Sequence, residues 1–405
     1  MVNSDNQITV GILAPTENEL SGGSFRLQST LYSELLNRLD SQTSVDPVRL
    51  VLLSSSRNQG RKKSFSTLPL RKSSLFSHLY QKSLSVIFGP SLGRENLYTS
   101  SSLSFIGKNI DLIWSLDPFT ITTSFPFCVT IYDLQHRLQP HFPEVSSCRE
   151  WSLRNSYYSD VVRRAFLSIV GTKEGKDELS FFYGIHPDRI LINPFPCPPP
   201  FVPTELDKLS FKNFNLQPFS YIFYPAQFWS HKNHLILIKC MKLLISMGIN
   251  LKLVFTGSDK GCLNSLNNTI NNLGLAESII NLGFVSTGIL SLLYKNAFCL
   301  AYPSFFGPDN LPPLEAMSYS CPCIVSDVPG AREQYGSSVL YFNPDDPQSF
   351  ISVLIQLYND ASLKTKLSQS GLKLVSSLTP SSYVDRFLEK IISNRMQLLS
   401  CSLAR

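Results

Sequence analysis

The 405-residue chain lacks several features that would each place it in a special class of protein. Charged residues make up only 16% of it and apolar residues 43%, which excludes the composition of a disordered protein. No apolar run is long enough to span a bilayer, and the run Ile8–Ala14 lacks a basic flank and is too short for a signal sequence. The nine cysteines share no repeated spacing, and Cys321 and Cys323 form a C-x-C without the second pair that a zinc site needs. The sequence therefore predicts a folded cytoplasmic protein with reduced cysteines and no bound metal.

Acidic residues are missing from one long stretch, Val48 to Gly93, which nevertheless carries eight basic residues. Leucine and aromatic residues lie among the basic ones, so we expect this stretch, residues 48–93, to contact an anionic membrane surface on its cytoplasmic face. Nucleic acid is not predicted as a partner, because no aromatic platform or recognised binding module accompanies the charge. A solvated loop is the alternative. The basic residues are Arg49, Arg57, Arg61, Lys62, Lys63, Arg71, Lys72 and Lys82.

Short apolar runs alternate with longer segments of helical period, which is typical of α/β proteins with parallel sheets. The length favours two domains. Six prolines between Pro194 and Pro203 are incompatible with regular structure and indicate a linker, within a hinge at 194–217. We predict two doubly wound Rossmann-like domains that face each other across a cleft, over residues 1–205 and 206–380. A last helix, in residues 381–405, is predicted to pack back on the first domain.

The segment YPSFFGPDNLPPLEAM predicts a strand, a turn and a helix over 312–319. Proline is tolerated in the first turn of a helix because it has no amide hydrogen to leave without a partner. The amides around Asp309–Leu311 and at Leu314 are therefore expected at a helix amino end, which binds phosphate readily. Glu315, expected in the first turn, is placed to accept hydrogen bonds from neutral hydroxyls such as those of a ribose. The alternative is a carboxylate that interacts only with the helix dipole.

A second segment, YPAQFWSHKNH, places Gln227, His231 and Lys232 between a strand and the next helix. A lysine at such a junction can neutralise a diphosphate. The helix amino end, the lysine and the carboxylate together indicate a nucleotide-diphosphate site. A nicotinamide dehydrogenase is the rival enzyme class, but the loop APTENELSGGSF lacks the G-x-G-x-x-G spacing that a dinucleotide needs.

Two further candidates follow an apolar strand in the first half of the chain. Asp133 ends the run FCVTIYD, a position typical of sites in doubly wound sheets. His136 could polarise a substrate hydroxyl, because imidazole titrates near neutral pH. A structural histidine and an aspartate that caps the following turn are the alternatives.

Four segments in combination resemble family 4 of the glycosyltransferases, retaining enzymes of the GT-B fold: VTIYDLQHRLQPHFPE, GTKEGKDELSFFYGIHPDRILINP, YPAQFWSHKNH and YPSFFGPDNLPPLEAM. The forms FGPxNxPPLEA and QFWxHKNH resemble a variant subset of that family. The resemblance spans about Ile8 to Leu398 and is strongest over 127–335. It implies transfer of a hexose, of mannose or glucose type, from a nucleotide-diphosphate sugar bound by the second domain. The implied acceptor is a glycan, a lipid-linked glycan or a polysaccharide bound by the first domain.

The resemblance also implies roles for individual residues. Lys232 matches the lysine that holds the diphosphate, and Glu315 matches the second of two glutamates, which binds the donor ribose. The turn Asp309-Asn310-Leu311 matches the backbone segment that contacts the phosphate and the sugar hydroxyls. Gly22 and Gly23 match a glycine pair whose bare backbone approaches the donor phosphate or the acceptor.

Three positions depart from the family pattern. The first of the two glutamates falls on Gly307, so its sugar contact is either taken over by Asp309 or absent. The usual arginine before the lysine is replaced near Gln227, which leaves one positive charge unless His231 or a basic residue of the first domain assists. The histidine of the family's HD pair is Tyr132, which makes His136 the nearest imidazole.

With these departures, the resemblance predicts a metal-independent retaining transfer without a cofactor. Lys232 and the helix amino end stabilise the departing diphosphate, and a leaving-group oxygen takes the acceptor proton. Glu333 resembles a family carboxylate near the donor, and a surface glutamate is the alternative. Gly307 and Tyr132 also leave open a catalytically weak nucleotide-sugar-binding protein of the same fold.

Overall fold

The computed structural model describes residues 7–13, 23–54, 67–69, 106–120, 125–307 and 309–398. The chain divides into two compact units. The first comprises the residues up to His141, Val145–Pro194 and the residues from Pro380 on, and the second comprises Phe142–Glu144 and Phe195–Thr379. Residues 195–205, which the sequence analysis assigns to the first domain, therefore lie in the second unit.

A parallel sheet forms the centre of the first unit. Its strands are mostly apolar, as expected of strands buried on both faces. The order of the seven described strands is β3-β2-β1-β4-β5-β6-β7. They are β1 (Ile8–Leu13), β2 (Val48–Ser54), β3 (Thr67–Pro69), β4 (Leu112–Trp114), β5 (Phe127–Thr130), β6 (Leu167–Val170) and β7 (Ile190–Ile192). The described helices up to Pro194 include α1 (Gly23–Ser41), α2 (Gln135–Leu138), α3 (Pro143–Ser146), α4 (Glu150–Arg164) and α5 (Lys173–Tyr183).

The second unit is built on another parallel sheet, whose six described strands have the order β10-β9-β8-β11-β12-β13. They are β8 (Tyr221–Pro225), β9 (Lys252–Thr256), β10 (Ile279–Asn281), β11 (Cys299–Tyr302), β12 (Cys323–Ser326) and β13 (Leu340–Phe342). The helices are α6 (Glu205–Lys212), α7 (His234–Ser246), α8 (Leu263–Asn272), α9 (Thr287–Asn296), α10 (Leu311–Ser318), α11 (Ala331–Tyr335), α12 (Pro347–Asn359) and α13 (Ala361–Ser377). Both sheets are doubly wound, and the prediction of an α/β fold with two Rossmann-like domains is confirmed.

The last described helix, α14 (Pro380–Ser393), belongs to the first unit. Its buried residues recur at helical spacing and include Phe387, whose ring stacks on Trp114 of β4 with centroids 3.7 Å apart. Arg386 donates to the side chain of Asn193, which in turn donates to the Tyr383 carbonyl. An apolar stripe and a buried amide therefore hold this helix against the end of the first sheet.

Helix α6 corrects the prediction that residues 194–217 have no regular structure. It begins just after the last proline of the linker, where Thr204 and Asp207 form a capping box: each side chain accepts a hydrogen bond from the backbone of the other. Such a box satisfies amides that would otherwise lack acceptors. The prolines therefore exclude a helix only as far as Pro203.

Several predicted features lie outside the described residues. These are Gly22 and every basic residue of the 48–93 stretch except Arg49, which is exposed on β2. Among the described residues, no helix combines the length and the apolarity needed to cross a membrane.

Each sheet reverses its strand order at one place, and there a crevice opens at the carboxyl ends of two strands. In the second sheet the reversal lies between β8 and β11, which pair in parallel. The segment that follows β8 contains Gln227, His231 and Lys232, and the segment that follows β11 runs to Asn310. The topology alone therefore brings the two segments singled out in the sequence to the same sheet edge.

Candidate functional site

Lys232 and Asn310 are joined through one tyrosine hydroxyl. The Lys232 ammonium donates to the Tyr302 hydroxyl at 2.9 Å, and that hydroxyl donates to the Asn310 side-chain oxygen at 2.9 Å. Tyr302 is the last residue of β11, and Lys232 ends a 3-10 turn after β8. We call Lys232, Tyr302 and Asn310 the switch-point network. It fixes the ammonium beside the amino end of α10.

Helix α10 begins at Leu311, one residue before the predicted start, and Asn310 is its N-cap. Glu315 is therefore the fifth helical residue and lies in the second turn, which corrects its predicted place in the first turn. The helix can begin at Leu311 because the amide hydrogens of a first turn have no acceptor within the helix. Pro312 and Pro313 lack this hydrogen, so both are accommodated in the first turn.

The amino end of α10 offers fewer amides than the sequence predicts. Two of its first three residues are prolines, and the Asn310 amide donates to the Gln334 side-chain oxygen at 3.1 Å. Leu311 is the remaining amide of this first turn, since it has neither a proline ring nor a side-chain acceptor in the described residues. Leu311 and Lys232 are thus two donors that the described residues provide for an anion at this edge of the sheet.

Asn310 is held from three sides. Its side-chain nitrogen donates to the Phe306 carbonyl at 2.8 Å, and its own carbonyl accepts from Gln334 at 3.1 Å and from the Tyr335 hydroxyl at 2.8 Å. Because both ends of the turn are bonded, the amino end of α10 has little freedom to rearrange when a ligand binds. Preorganised donors stabilise a developing charge more effectively than mobile ones.

Glu315 lies inside the second unit, with only 4% of its surface exposed. It accepts a hydrogen bond from the Tyr294 hydroxyl of α9 at 2.9 Å. The Tyr294 ring stacks on Tyr319, just past the end of α10. The carboxylate is therefore fixed by a neighbour that the sequence analysis did not identify.

His231 is bound on two sides. Its Nδ1 lies 2.5 Å from a Glu144 carboxylate oxygen, and its ring stacks on Phe306 with centroids 3.8 Å apart and planes within 8°. The same Glu144 oxygen accepts from the His231 amide at 2.8 Å. Glu144 precedes His231 by 87 residues, so no local pattern in the sequence indicates this pair.

The remaining donor-site candidates of the second unit are Gln227, Asp309 and Glu333. The Gln227 side-chain oxygen accepts from the Trp229 indole at 3.0 Å, which holds Gln227 within its own turn. Asp309 immediately precedes Asn310 and is partly buried. Burial raises the pKa of Tyr335, and the charge of Asp309 contributes in the same direction. Glu333 is exposed in the first turn of α11.

Gly307, which stands where the resemblance expects a glutamate, occupies a position without room for a side chain. A Cβ there would lie 2.3 Å from the Pro329 carbonyl oxygen and 3.3 Å from Val328. The backbones of two loops approach each other at this point. The departure from the family pattern is therefore part of the local backbone packing.

Replacing Gly307 with alanine is expected to lower the free energy of unfolding by about 1–3 kcal/mol, because the backbone must move to admit the methyl group. Gly23→Ala is the matched control: no atom lies within 4 Å of its added Cβ, so a change under about 0.5 kcal/mol is expected. Chemical denaturation of both variants measures the difference. Equal stability of the two variants would contradict the close approach at Gly307.

In the first unit, Asp133 is engaged by its own neighbours. Its carboxylate accepts from Arg154 at 2.8 Å and from the Gln135 amide at 2.9 Å, so it does cap the turn that follows β5. Burial alone would raise the pKa of Asp133, but the Arg154 charge and these hydrogen bonds outweigh burial and lower it. Asp133 is therefore ionised at neutral pH.

His136 is fully buried in α2, and its Nε2 lies 3.0 Å from the Tyr183 hydroxyl. Burial lowers its pKa to about 4, assisted by the nearby Arg154. The ring is neutral at pH 7 and sits where a structural histidine would. Gly23, the described member of the glycine pair, is the exposed first residue of α1.

His234, the first residue of α7, lies in an aromatic pocket. Its ring centroid is 4.6 Å from those of Tyr224 and Phe228 and 5.1 Å from that of Phe255. Only 2% of its surface is exposed, and burial lowers its pKa to about 3. The folded chain thus holds this histidine neutral far below the pH at which the unfolded chain protonates it.

Stability is expected to fall as the pH drops below about 6.5, by up to about 1.4 kcal/mol per pH unit for each such histidine. Below that pH the unfolded chain binds a proton at His234. In the folded chain His234 stays neutral until the pH approaches its pKa of about 3. The His234→Phe variant fills the same pocket with a ring that does not titrate. Its free energy of unfolding should therefore fall less steeply than that of the parent chain between about pH 6.5 and 4. A remaining slope is expected from His136.

Denaturant titrations at a series of pH values measure these slopes. Replacing His186 with glutamine is the control, because its side chain is 70% exposed and its loss should leave the slope unchanged. A His234→Phe slope equal to that of the parent chain would show that His234 takes up protons in the folded state.

Among the described residues, no group of three or more His, Cys, Asp or Glu side chains lies close enough together to hold a metal ion. The cysteines of the C-x-C, Cys321 and Cys323, are buried, and burial raises the pKa of both thiols.

Comparison with known proteins agrees with the geometry of the second unit. Residues 207–374 match the family model described as "Glycosyl transferases group 1". The O-antigen chain mannosyltransferase RfbU of Salmonella typhimurium is 37% identical over 126 residues, which are 31% of this chain and 35% of that protein. O-antigen chain mannosyltransferase B of Escherichia coli is 34% identical over 91 residues, 22% of this chain and 24% of that protein. The matched stretch thus spans about a third or less of these relatives.

Solved structures resemble the chain over nearly its whole length. The structure of HepE of Anabaena in complex with UDP matches with a TM-score of 0.66 at 13% identity. The match covers 96% of this chain and 100% of HepE. A glycosyltransferase of Rickettsia africae gives 0.63 at 15% identity, covering 97% of this chain and 99% of its own. At such identities the likeness establishes the fold alone. The chain therefore has the GT-B fold, and residues 207–374 are similar to the group 1 glycosyltransferases.

Proposed function

We propose that the protein is a retaining glycosyltransferase that moves a hexose, of mannose or glucose type, from a nucleotide-diphosphate sugar to a glycan, lipid-linked or polysaccharide acceptor. The observation that carries the proposal is the switch-point network, which lies inside the matched region 207–374. The two relatives named as mannosyltransferases favour mannose.

The network suits a departing diphosphate because its donors lie where negative charge develops. Lys232 supplies a full charge, and Leu311 supplies an amide at the positive end of α10. Tyr302 holds the ammonium in place before the donor arrives and can keep its hydrogen bond to Asn310 afterwards. The proposed transfer needs no metal, since these groups stabilise the leaving group directly and a leaving-group oxygen takes the acceptor proton.

The other donor contacts are proposed residue by residue. Glu315, already fixed by Tyr294, accepts hydrogen bonds from the ribose hydroxyls. Asp309 precedes the N-cap and is proposed to make the sugar contact that Gly307, without a side chain, cannot make. Gln227, in the segment after β8, and Glu333, in the first turn of α11, are proposed as further donor contacts. Gly22 and Gly23 are proposed to approach the donor phosphate or the acceptor.

The first unit is proposed to bind the acceptor. Asp133 is ionised and anchored by Arg154, so its free lone pairs can accept from an acceptor hydroxyl. For His136, the bond to Tyr183 and full burial favour a role in fixing α2 over direct contact with substrate. Contact of the basic stretch 48–93 with an anionic membrane from the cytoplasmic side remains part of the proposal.

A panel of nucleotide-diphosphate sugars, including GDP-mannose and UDP-glucose, tests the function by thermal shift. A ligand at about one hundred times its dissociation constant is expected to stabilise the chain by about 2.7 kcal/mol. Transfer is then followed with a lipid-linked glycan acceptor. Binding without transfer or hydrolysis would favour the catalytically weak binding protein, and no binding by any member of the panel would contradict the proposal.

A further inference from the structure

We infer that Glu144 and Phe306 hold His231 as a fixed, protonated imidazole, and that His231 is a second cationic donor to the diphosphate beside Lys232. The inference rests on the proposed function, which supplies the diphosphate. Glu144 acts through His231 and is a positioning residue.

Glu144 and His231 form a buried pair. Their side chains are 5% and 10% exposed, and both the His231 amide and its Nδ1 point at the same carboxylate oxygen. A carboxylate removed from water is costly unless a cation or several hydrogen-bond donors compensate it. Burial raises the pKa of Glu144, but its hydrogen bonds from His231 outweigh burial and lower it. The carboxylate is therefore ionised at neutral pH and favours the protonated imidazole.

The His231 ring has a fixed direction. Its flat stacking on Phe306 prevents tilting, and Phe142 packs edge-on against both rings. With Nδ1 bonded to Glu144, the geometry of imidazole directs Nε2 away from that carboxylate. A carboxylate behind a histidine in this way fixes which nitrogen is presented to a ligand.

Hydrogen bonds connect the backbone of His231 with the switch-point network. The Phe305 amide donates to the His231 carbonyl at 2.9 Å, and the Phe306 carbonyl accepts from the Asn310 side chain at 2.8 Å. Lys232 is the next residue after His231 and reaches Asn310 through Tyr302. The turn that carries both side chains is therefore bonded to the loop that precedes α10.

The charged groups around the imidazole act in opposite directions. Glu144, on α3, favours the charged form, and Lys232, on the histidine's own turn, opposes it. His234, at the start of α7, stays neutral because burial lowers its pKa to about 3. Asp309 belongs to the loop that supplies Phe306 and would favour the charged form. Contact with the carboxylate at 2.5 Å makes Glu144 the dominant neighbour.

Glu144→Gln is the decisive variant, because the amide oxygen can still accept both hydrogen bonds while the charge is lost. The probe is GDP-mannose or UDP-glucose, whichever the parent chain binds, titrated by calorimetry between about pH 5.5 and 8.5, where imidazole titrates and a diphosphate diester does not. We expect affinity in the parent chain to weaken as pH rises. In Glu144→Gln the same weakening should begin about one pH unit lower, so the ratio of the two dissociation constants should rise with pH to about tenfold above both transitions.

Two further variants separate charge from structure. His231→Gln should bind the probe weakly at every pH, without the pH-dependent component. Glu205→Gln is the matched control, an exposed glutamate of the same unit paired with Lys208, and should follow the parent curve. Nitrogen-15 NMR of the ligand-free chain, assigned with His231→Gln, should show both ring nitrogens protonated at neutral pH.

The outcomes are distinct. If the parent chain binds a nucleotide sugar but the Glu144→Gln curve superimposes on it, the inference is overturned and the proposed function stands. A neutral His231 ring in the ligand-free chain at pH 7 overturns the inference as well, without any ligand. Failure of the parent chain to bind any nucleotide sugar overturns the proposed function and, with it, the role of His231 as a donor to the diphosphate.

Discussion

Replacing Lys232 with methionine is expected to lower donor-dependent turnover at least about tenfold, since the ammonium contributes an electrostatic interaction that strengthens as the diphosphate departs. Methionine keeps most of the side-chain length, so the packing against Tyr302 should survive. Initial rates with saturating acceptor measure kcat and the donor KM separately. A fall in kcat shows that Lys232 acts on the transition state, whereas a rise in KM alone would mean that it binds donor and transition state equally.

Lys242→Met is the control for this measurement, because Lys242 is an exposed lysine on α7, within the same unit. It should leave both kinetic parameters unchanged. Wild-type turnover in Lys232→Met would refute the assignment of Lys232 to the leaving group.

Glu315→Gln is expected to raise the donor KM by about ten- to a hundredfold, because a neutral amide replaces a charged acceptor of the ribose hydroxyls. The amide oxygen can still accept from the Tyr294 hydroxyl, so the fold around α10 should be retained. Steady-state kinetics with a nucleotide sugar and calorimetry with the corresponding nucleoside diphosphate give the change in affinity.

Tyr294→Phe is the matched control, since it removes the internal hydrogen bond to Glu315 but keeps the carboxylate. It should lower stability by about 1–3 kcal/mol through the loss of a buried bond, with a smaller effect on the donor KM. If both variants change stability and neither changes the KM, Glu315 is a structural carboxylate and does not bind the donor.

The sequence predicts the fold well because strand and helix periods are local signals. The segment predicted as a strand, a turn and a helix over 312–319 is observed as β11, a turn and α10, which begins at Leu311. Helix α6 was missed because a capping box immediately after a proline run was outweighed by the prolines. Local patterns thus predict elements reliably except where two opposite signals adjoin.

The candidate site could be predicted only in part. Lys232 and Asn310 each follow a strand, and their association is a consequence of parallel neighbours in the sheet. Tyr302 looks like an ordinary strand residue, and its bonds to both partners depend on the register of β11. Glu144 lies in a different part of the chain from His231, and only the tertiary fold brings them together. Side chains that hold other side chains in place leave no pattern in a single sequence.

The most direct test of the account is a crystal structure of the chain with a bound nucleoside diphosphate. The account predicts that one phosphate group lies within hydrogen-bonding distance of both the Lys232 ammonium and the Leu311 amide, at the amino end of α10. A diphosphate bound elsewhere, with Lys232 still bonded to Tyr302 and no ligand near Leu311, would contradict it.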